Sequence, residues 1–189
     1  MFKNMKIRKE LKLIQIIVLT VAVAFYAGSK LLSAPPKFRA APEMETAFVE
    51  RAVDGDTLKL SDKRRIRLIG VDTPELHYSE KLLRDSKRTH KDIEAIQALG
   101  AKAADFTREL CEGKNVRIET DVRKFDKYGR LLAYIYLEDG TFVNAKILEE
   151  GYGQVMTIPP DVKYADYFLK LEHEARKSGK GLWAITDNM

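Results

Sequence analysis

Residues Arg65–Glu75 read Arg-Ile-Arg-Leu-Ile-Gly-Val-Asp-Thr-Pro-Glu, and the stretch changes character midway. In its first half Ile66, Leu68 and, beyond Ile69, Val71 supply the aliphatic bulk of a β-strand. In its second half Asp72 and Glu75 flank Thr73-Pro74, and Pro74 lacks the backbone donor that a ladder needs. A strand that stops on an acidic turn presents carboxylates and free carbonyls at a sheet edge. A second acidic turn, Asp54-Gly55-Asp56-Thr57, lies just upstream. On adjacent strands the two turns could bring together Asp56, Asp72 and the Thr73 carbonyl, hard oxygen ligands of the kind Ca²⁺ prefers. Arg67, on the strand leading into the second turn, then puts a guanidinium beside a metal. That pairing suits a phosphate ester better than a purely structural ion, because an arginine fork binds phosphate bidentately.

Upstream of these turns the chain changes in kind. Of its 189 residues, the first 29 hold Lys3, Lys6, Arg8, Lys9 and Lys12 against a single Glu10, followed by a predominantly apolar run from Leu13 to Ala27. A basic head before such a run reads as a secretory signal or a signal anchor. The run is short for a transmembrane helix, which needs about 20 apolar residues. The small residues Ala27-Gly28-Ser29 favour cleavage over retention as an anchor. Residues 30–45, with Pro35, Pro36 and Pro42, read as a linker, and the folded domain is expected over 46–185. The first 29 residues hold +4 of the formal charge of +5, leaving +1 for the remainder. Overall basicity is therefore no argument for nucleic-acid binding, and local arrangement has to carry any such reading. The basic cluster Lys63-Arg64-Arg65 reads as a solvated hairpin turn. Cys111 is the only cysteine, so no intrachain disulfide can form, and its place after Phe106 and Leu110 marks it as a small core residue. His77, His90 and His173 have no ligand spacing and read as surface residues.

In the body, Ala47–Val53, Thr57–Leu60 and Arg65–Val71 read as a β-meander. The long polar stretch from Leu76 to Lys91 is a loop or a loop with a short helix, of a length that points to function. A helix is expected over Ala95–Glu112, with Leu99, Ala103, Phe106 and Leu110 on one face and Gly113 as its stop. Strands follow at Asn115–Thr120 and Leu131–Leu137, then a short helix at Phe142–Glu150. A last helix buries Tyr164, Phe168, Leu171 and Ala175, and Gly181-Leu182-Trp183 tucks an aromatic back against the body. Five strands with interspersed helices and no βαβ alternation make an α+β fold with a small antiparallel barrel.

Between the last two strands sits Asp126-Lys127-Tyr128-Gly129-Arg130. The order Asp-Gly-Asp-Thr, then Arg-Leu-Ile-Gly-Val-Asp-Thr-Pro-Glu, then Asp-Lys-Tyr-Gly-Arg-Leu-Leu-Ala-Tyr-Ile-Tyr resembles the staphylococcal nuclease, or thermonuclease, family, from about Phe48 to Trp183. The resemblance implies a five-stranded OB-type β-barrel with about three helices, and a hydrolase that cleaves DNA and RNA phosphodiesters with Ca²⁺, leaving 3′-phosphate ends. By the same resemblance Asp56 and Asp72 are the metal carboxylates and Thr73 gives a backbone carbonyl. Glu75 acts as general base or orients the attacking water, and Arg67 and Arg130 contact the scissile phosphate. Lys127 and Tyr128 touch a neighbouring phosphate. These roles agree with the chemistry of in-line attack on a phosphodiester. Nucleic acid is then the partner, with membrane anchoring through residues 13–27 the other contact. The chain is expected to be a monomer, exported to an extracellular, periplasmic or outward-facing anchored position.

Two departures from the family pattern concern substrate. The stretch Leu76–Leu99 is longer than in the family's namesake, and Thr157-Ile158-Pro159-Pro160 stands where the namesake has tyrosines. Tyr152 or Tyr164 could take their place. Two rival readings weaken against the residues. A binding-only barrel is expected to lack one of Asp56, Asp72, Glu75, Arg67 or Arg130, and all five are present. A structural calcium loop starting at Asp54 would need a bidentate Glu where Arg65 stands.

Overall fold

The computed structural model describes residues 44–77, 80–89 and 92–188. The signal or anchor expectation for residues 1–29, and most of the linker, lie outside the described residues. Strands β1 (Glu45–Asp54), β2 (Thr57–Leu60) and β3 (Arg65–Leu68) form the expected meander. With β5 (Asn115–Glu119) and β6 (Leu131–Leu137) they close into a barrel in the order β1-β2-β3-β6-β5. One ladder departs from the antiparallel expectation: β3 and β6 run parallel, with Ile66 opposite Leu131. A parallel pair needs a long crossover, which the helices and β5 between them supply. Strand β1 serves two partners, β5 through Glu45–Phe48 and β2 through Val49–Asp54, and register irregularities after Val49 and Ala52 bend it between them. Alternate residues point inward: Val49, Leu58, Leu60, Ile66, Val116 and Ile135 are buried in the core.

The strand expected to run from Arg65 to Val71 breaks at Gly70, whose φ is +78°. Only glycine takes that conformation readily, and a Cβ there would sit 2.5 Å from ring carbons of Phe168. Beyond the break, β4 (Gly70–Asp72) leaves the barrel and pairs with β7 (Gln154–Met156), a strand too short to show in the sequence pattern. Asn144 anchors the break. Its fully buried amide accepts from Ile135 N at 3.0 Å and donates to the Ile69 and Ala133 carbonyls at 2.9 and 3.2 Å. A fully satisfied polar side chain in the core fixes one geometry there.

Four α-helices are described where about three were expected: α1 (Glu80–Thr89), α2 (Ile93–Cys111), α3 (Val143–Glu149) and α4 (Ala165–Lys177). The additional one, α1, lies in the long polar stretch and buries Leu82. Helix α2 buries Ala103 as expected, and Phe106 and Leu110 pack against the core, but the buried face is centred to one side of that stripe. Ile96, Gly100, Ala103, Ala104, Thr107 and Cys111 are buried, while Leu99, Phe106 and Leu110 are only partly covered. Burial pushes the Cys111 thiol up to about 12. On α4, Phe168 and Ala175 are buried as expected, after Tyr164 at its start. Trp183 lies in a 3-10 helix over Gly181–Asn188 with the Arg176 guanidinium 3.9 Å from its ring centroid. No helix among the described residues is long and apolar enough to cross a membrane.

Candidate active site

The β1–β2 turn and the end of β4 meet beside Arg67. Pairing of Thr57 with Arg67 across β2 and β3 sets the side chain next to the first acidic turn. The break at Gly70 then brings Asp72 back to it. Arg67 is ion-paired to Asp56 through one terminal nitrogen and to Asp72, at 3.0 Å, through the other. All three side chains are buried, Arg67 to 8% and each aspartate to 6% exposure. Asp56 also accepts from Thr57 Oγ1 at 2.9 Å, from Thr73 N at 3.0 Å and from Thr73 Oγ1 at 3.1 Å. Gln154 on β7 donates to the other oxygen of Asp72 at 3.2 Å. Burial pulls the Arg67 pKa down from its ordinary value; Asp72 and Glu75 work against that pull and Arg130 adds to it. A guanidinium remains charged through such shifts. The same interactions show that Glu75 and Arg130 lie within electrostatic reach of Arg67.

Arg67 also lines a cleft of about 340 Å³ bordered by Phe125, Asp126, Lys127, Tyr128, Arg130 and Ile158. On this side the hairpin Asp126–Arg130 is self-contained. Asp126 accepts from the backbone N–H groups of Tyr128 and Arg130, each at 2.9 Å, and from Arg130 Nε at 2.7 Å. Partial burial works against the Asp126 carboxylate, but those bonds from Arg130 and Tyr128 hold it below the usual aspartate value. Lys127 and Arg130 stand 5.0 and 5.4 Å from the Tyr128 ring centroid, and Tyr128 itself is 71% exposed.

The residues to which the resemblance gives a metal, catalytic or phosphate role lie in or beside one region. Asp56, Asp72, Thr73 and Arg67 are in direct contact, Glu75 follows two residues on, and Arg130, Lys127 and Tyr128 share the cleft. The tyrosines offered as replacements do not. Tyr152 stacks on Phe106 at 4.3 Å, and Tyr164 is buried with its hydroxyl 3.1 Å from Glu119. The expected surface histidines His77 and His173 are exposed, and His90 lies outside the described residues. Nothing in the sequence pointed to Gln154 behind Asp72, nor to Arg123, which lines the cleft and pairs with buried Asp161 at 2.8 Å. Nor did it show Thr107, whose hydroxyl donates to the Gly55 carbonyl at 2.7 Å. All three act across distant sequence positions, where no local pattern forms.

The donor set fits a hard cation. Asp56, Asp72 and the Thr73 carbonyl are all oxygen, and two buried carboxylates share one guanidinium as their common cation. Among the described residues no group of three or more His, Cys, Asp or Glu converges on a metal position.

A closed five-stranded barrel whose acid-bound Arg67 opens on a cleft with Arg123, Lys127 and Arg130 defines a class of OB-type proteins. The profile of the family described as Staphylococcal nuclease homologue matches residues 65–185. The thermonuclease of Staphylococcus intermedius is 37% identical over 142 residues, covering 74% of this chain and 76% of its own. The thermonuclease of Staphylococcus hyicus is 34% identical, with 74% and 76% covered. The endonuclease YncB of Bacillus subtilis is 31% identical, with 84% and 71% covered. The chain belongs to the staphylococcal nuclease homologue family.

Proposed function

We propose that this protein is a Ca²⁺-dependent nuclease that hydrolyses phosphodiester bonds of DNA, RNA or both and leaves 3′-phosphate ends. The observation that carries the reading is Arg67, held by two buried carboxylates while it lines a cleft shared with Arg130 and Lys127. Relatives named as thermonucleases and an endonuclease support it. Asp56, Asp72 and the Thr73 carbonyl would hold the calcium, which when bound supplies positive charge that polarises a phosphoryl oxygen. Arg67 and Arg130 donate to the scissile phosphate and meet the charge that grows on its oxygens. Glu75 accepts a proton from the attacking water or orients it for in-line attack. Lys127 and Tyr128 hold the next phosphate along the strand.

The test is the full chain incubated with single-stranded DNA or RNA in Ca²⁺, in Mg²⁺ and in chelator. Cleavage is expected in Ca²⁺, abolished by chelator and poorly restored by Mg²⁺, which demands stricter octahedral geometry than turn oxygens offer. Product ends should carry 3′-phosphate. Equal rates in Ca²⁺ and in chelator would remove the metal from the reading.

The basic head and apolar run of residues 1–29 support export, with cleavage near Ser29 or anchoring through residues 13–27. An N-terminus at Lys30 on the mature protein is the expected result of cleavage. Recovery of the intact chain from the cytosol contradicts export. The working unit is a monomer.

A further inference from the structure

Helix α2 carries small residues on its buried face, and the two acidic turns account for them. Gly100 lies in the interior of this 19-residue helix, where glycine costs about 1 kcal/mol relative to alanine. What it permits is contact. A Cβ on Gly100 would lie 2.6 Å from both the carbonyl carbon and the oxygen of Glu75, and 2.8 Å from Leu76 N. Those are backbone atoms, which cannot swing aside as the end of a side chain can. One turn earlier, Gln97 Nε2 donates to the Leu76 carbonyl at 3.2 Å. Farther along the same face the helix meets the other acidic turn. The Ala103 Cβ lies 2.9 Å from where a Cβ on Gly55 would sit, and Thr107 donates to the Gly55 carbonyl. Positions 97, 100, 103 and 107 therefore form one stripe of α2. Its first half touches the peptide after Glu75, and its second half touches the turn that carries Asp56.

We propose that Gly100 is a positioning residue for Glu75: by letting the helix backbone lie against the Glu75–Leu76 peptide, it fixes the point from which the Glu75 carboxylate reaches the water. The proposal rests on the assignment of Glu75 to the attacking water. A methyl group at position 100 must push that peptide away from the helix by most of an ångström, while alanine itself favours the helix. Displacement of a reacting group by about 1 Å costs on the order of 10²-fold in rate. The loss should fall on kcat, because the displaced peptide follows Glu75, whereas Asp72 and Thr73 precede it and are held by Arg67, Gln154 and Asp56.

The experiment compares the full chain with Gly100→Ala, Glu75→Gln and the double variant, measuring kcat, KM and the Ca²⁺ concentration for half-maximal rate. Far-UV circular dichroism and Trp183 fluorescence report the fold. Gly100→Ala is expected to lower kcat by about 10–100-fold, with KM and half-saturating Ca²⁺ within about twofold of the parent. In the Glu75→Gln background it should change kcat by less than about twofold, because the two substitutions act through one group. A folded Gly100→Ala with parental kcat overturns the proposal, as does a loss that simply multiplies with that of Glu75→Gln. An equal change in half-saturating Ca²⁺ also overturns it, since it would route the effect through the calcium ligands Asp56, Asp72 or Thr73. Should Gly100→Ala fail to fold, Gln97→Ala removes the hydrogen bond to Leu76 without a clash. It should then show a loss of about threefold in kcat with the same non-additivity, and an additive loss overturns the proposal. If Glu75→Gln itself kept parental kcat, the assignment of Glu75 would fail first, a result distinct from any of these.

Discussion

Arg67 and Arg130 line the same cleft, yet one is sealed into the barrel wall and the other stands on a hairpin. Arg67 is held by Asp56 and Asp72, which arrive from separate turns and are themselves bonded by Thr57, Thr73 and Gln154. Its position is therefore set by the closure of the barrel and the break at Gly70. Arg130 is held by Asp126, four residues away in the same turn, and its side chain is 29% exposed. The acidic half is placed by the fold as a whole. The basic half is placed locally and can be altered without disturbing the core. Substitutions should separate the two halves, because those in the acidic half touch stability and chemistry together.

The largest effect is expected from Glu75→Gln, which keeps the shape of the side chain and removes its capacity to take a proton. A general base contributes on the order of 10²–10⁴-fold, so kcat should fall by that scale with KM little changed. Next, Arg67→Lys and Arg130→Lys each keep the charge and lose the planar fork, and each should lower kcat by about 10²–10³-fold. Parental kcat in both Glu75→Gln and Arg130→Lys would show the site to be wrongly assigned. The halves separate on truncation. Arg67→Ala leaves two buried carboxylates without their common cation and should destabilise the protein by about 3–5 kcal/mol in urea unfolding with chelator present. Arg130→Ala should cost less than about 1 kcal/mol, since its partner Asp126 keeps water and backbone donors. Equal losses would erase the distinction between a wall and a hairpin.

The same contrast governs what the sequence revealed. The hairpin Asp126–Arg130 is a local object, legible as a string of five residues, and the meander was legible from strand periodicity and its turns. Thr57–Leu60 and Leu131–Leu137 fall where the pattern put them. Local patterning could not show that β3 ends at Leu68, because the break rests on a positive φ at Gly70 and on the Phe168 ring packed against it from nearly a hundred positions away. It misjudged the buried face of α2 for a related reason. Hydrophobic bulk at Leu99, Phe106 and Leu110 marks a stripe that shares Ala103 with the buried face, whereas the helix turns Gly100 and Thr107 inward beside Ala103 to approach the acidic turns. Close contact selects small residues, and a search for large apolar ones passes over them. Helix α1 is charge-rich, with Leu82 and Leu83 its only apolar residues, so it was not told from a loop; Leu82 is the buried anchor.

A smaller effect tests the metal side of the acidic half. Asp56→Ala should raise the Ca²⁺ needed for half-maximal rate by about tenfold, and excess Ca²⁺ should recover part of the lost rate. Glu75→Gln should show no such recovery. A calcium titration of the two variants side by side therefore distinguishes a ligand from a group that acts on water. If both recovered alike, or neither did, Asp56 and Glu75 would have no separate roles.

The smallest effect belongs to the hairpin. Asp126→Asn retains an oxygen for the Tyr128 and Arg130 N–H groups but loses the charge that faces Arg130 Nε. The pair is partly exposed and local, so the loss of stability should stay below about 1 kcal/mol at neutral pH, with KM raised a few-fold as Arg130 loses its tether. The pH dependence fixes the sign. Folding holds the Asp126 pKa below its ordinary value of 3.8, so the folded state releases this proton more readily than the unfolded chain does. Its stabilisation is then fully present above pH 3.8 and fades as the pH falls through the lower folded value. The amide of the variant cannot titrate, so the stability gap between parent and variant should be constant above about pH 5 and close below pH 3.8. Urea midpoints of the two proteins, followed from neutral pH down into the acid range, measure that gap. A gap that widened on acidification would mean that Asp126 gains a proton on folding and does not hold Arg130 as a carboxylate.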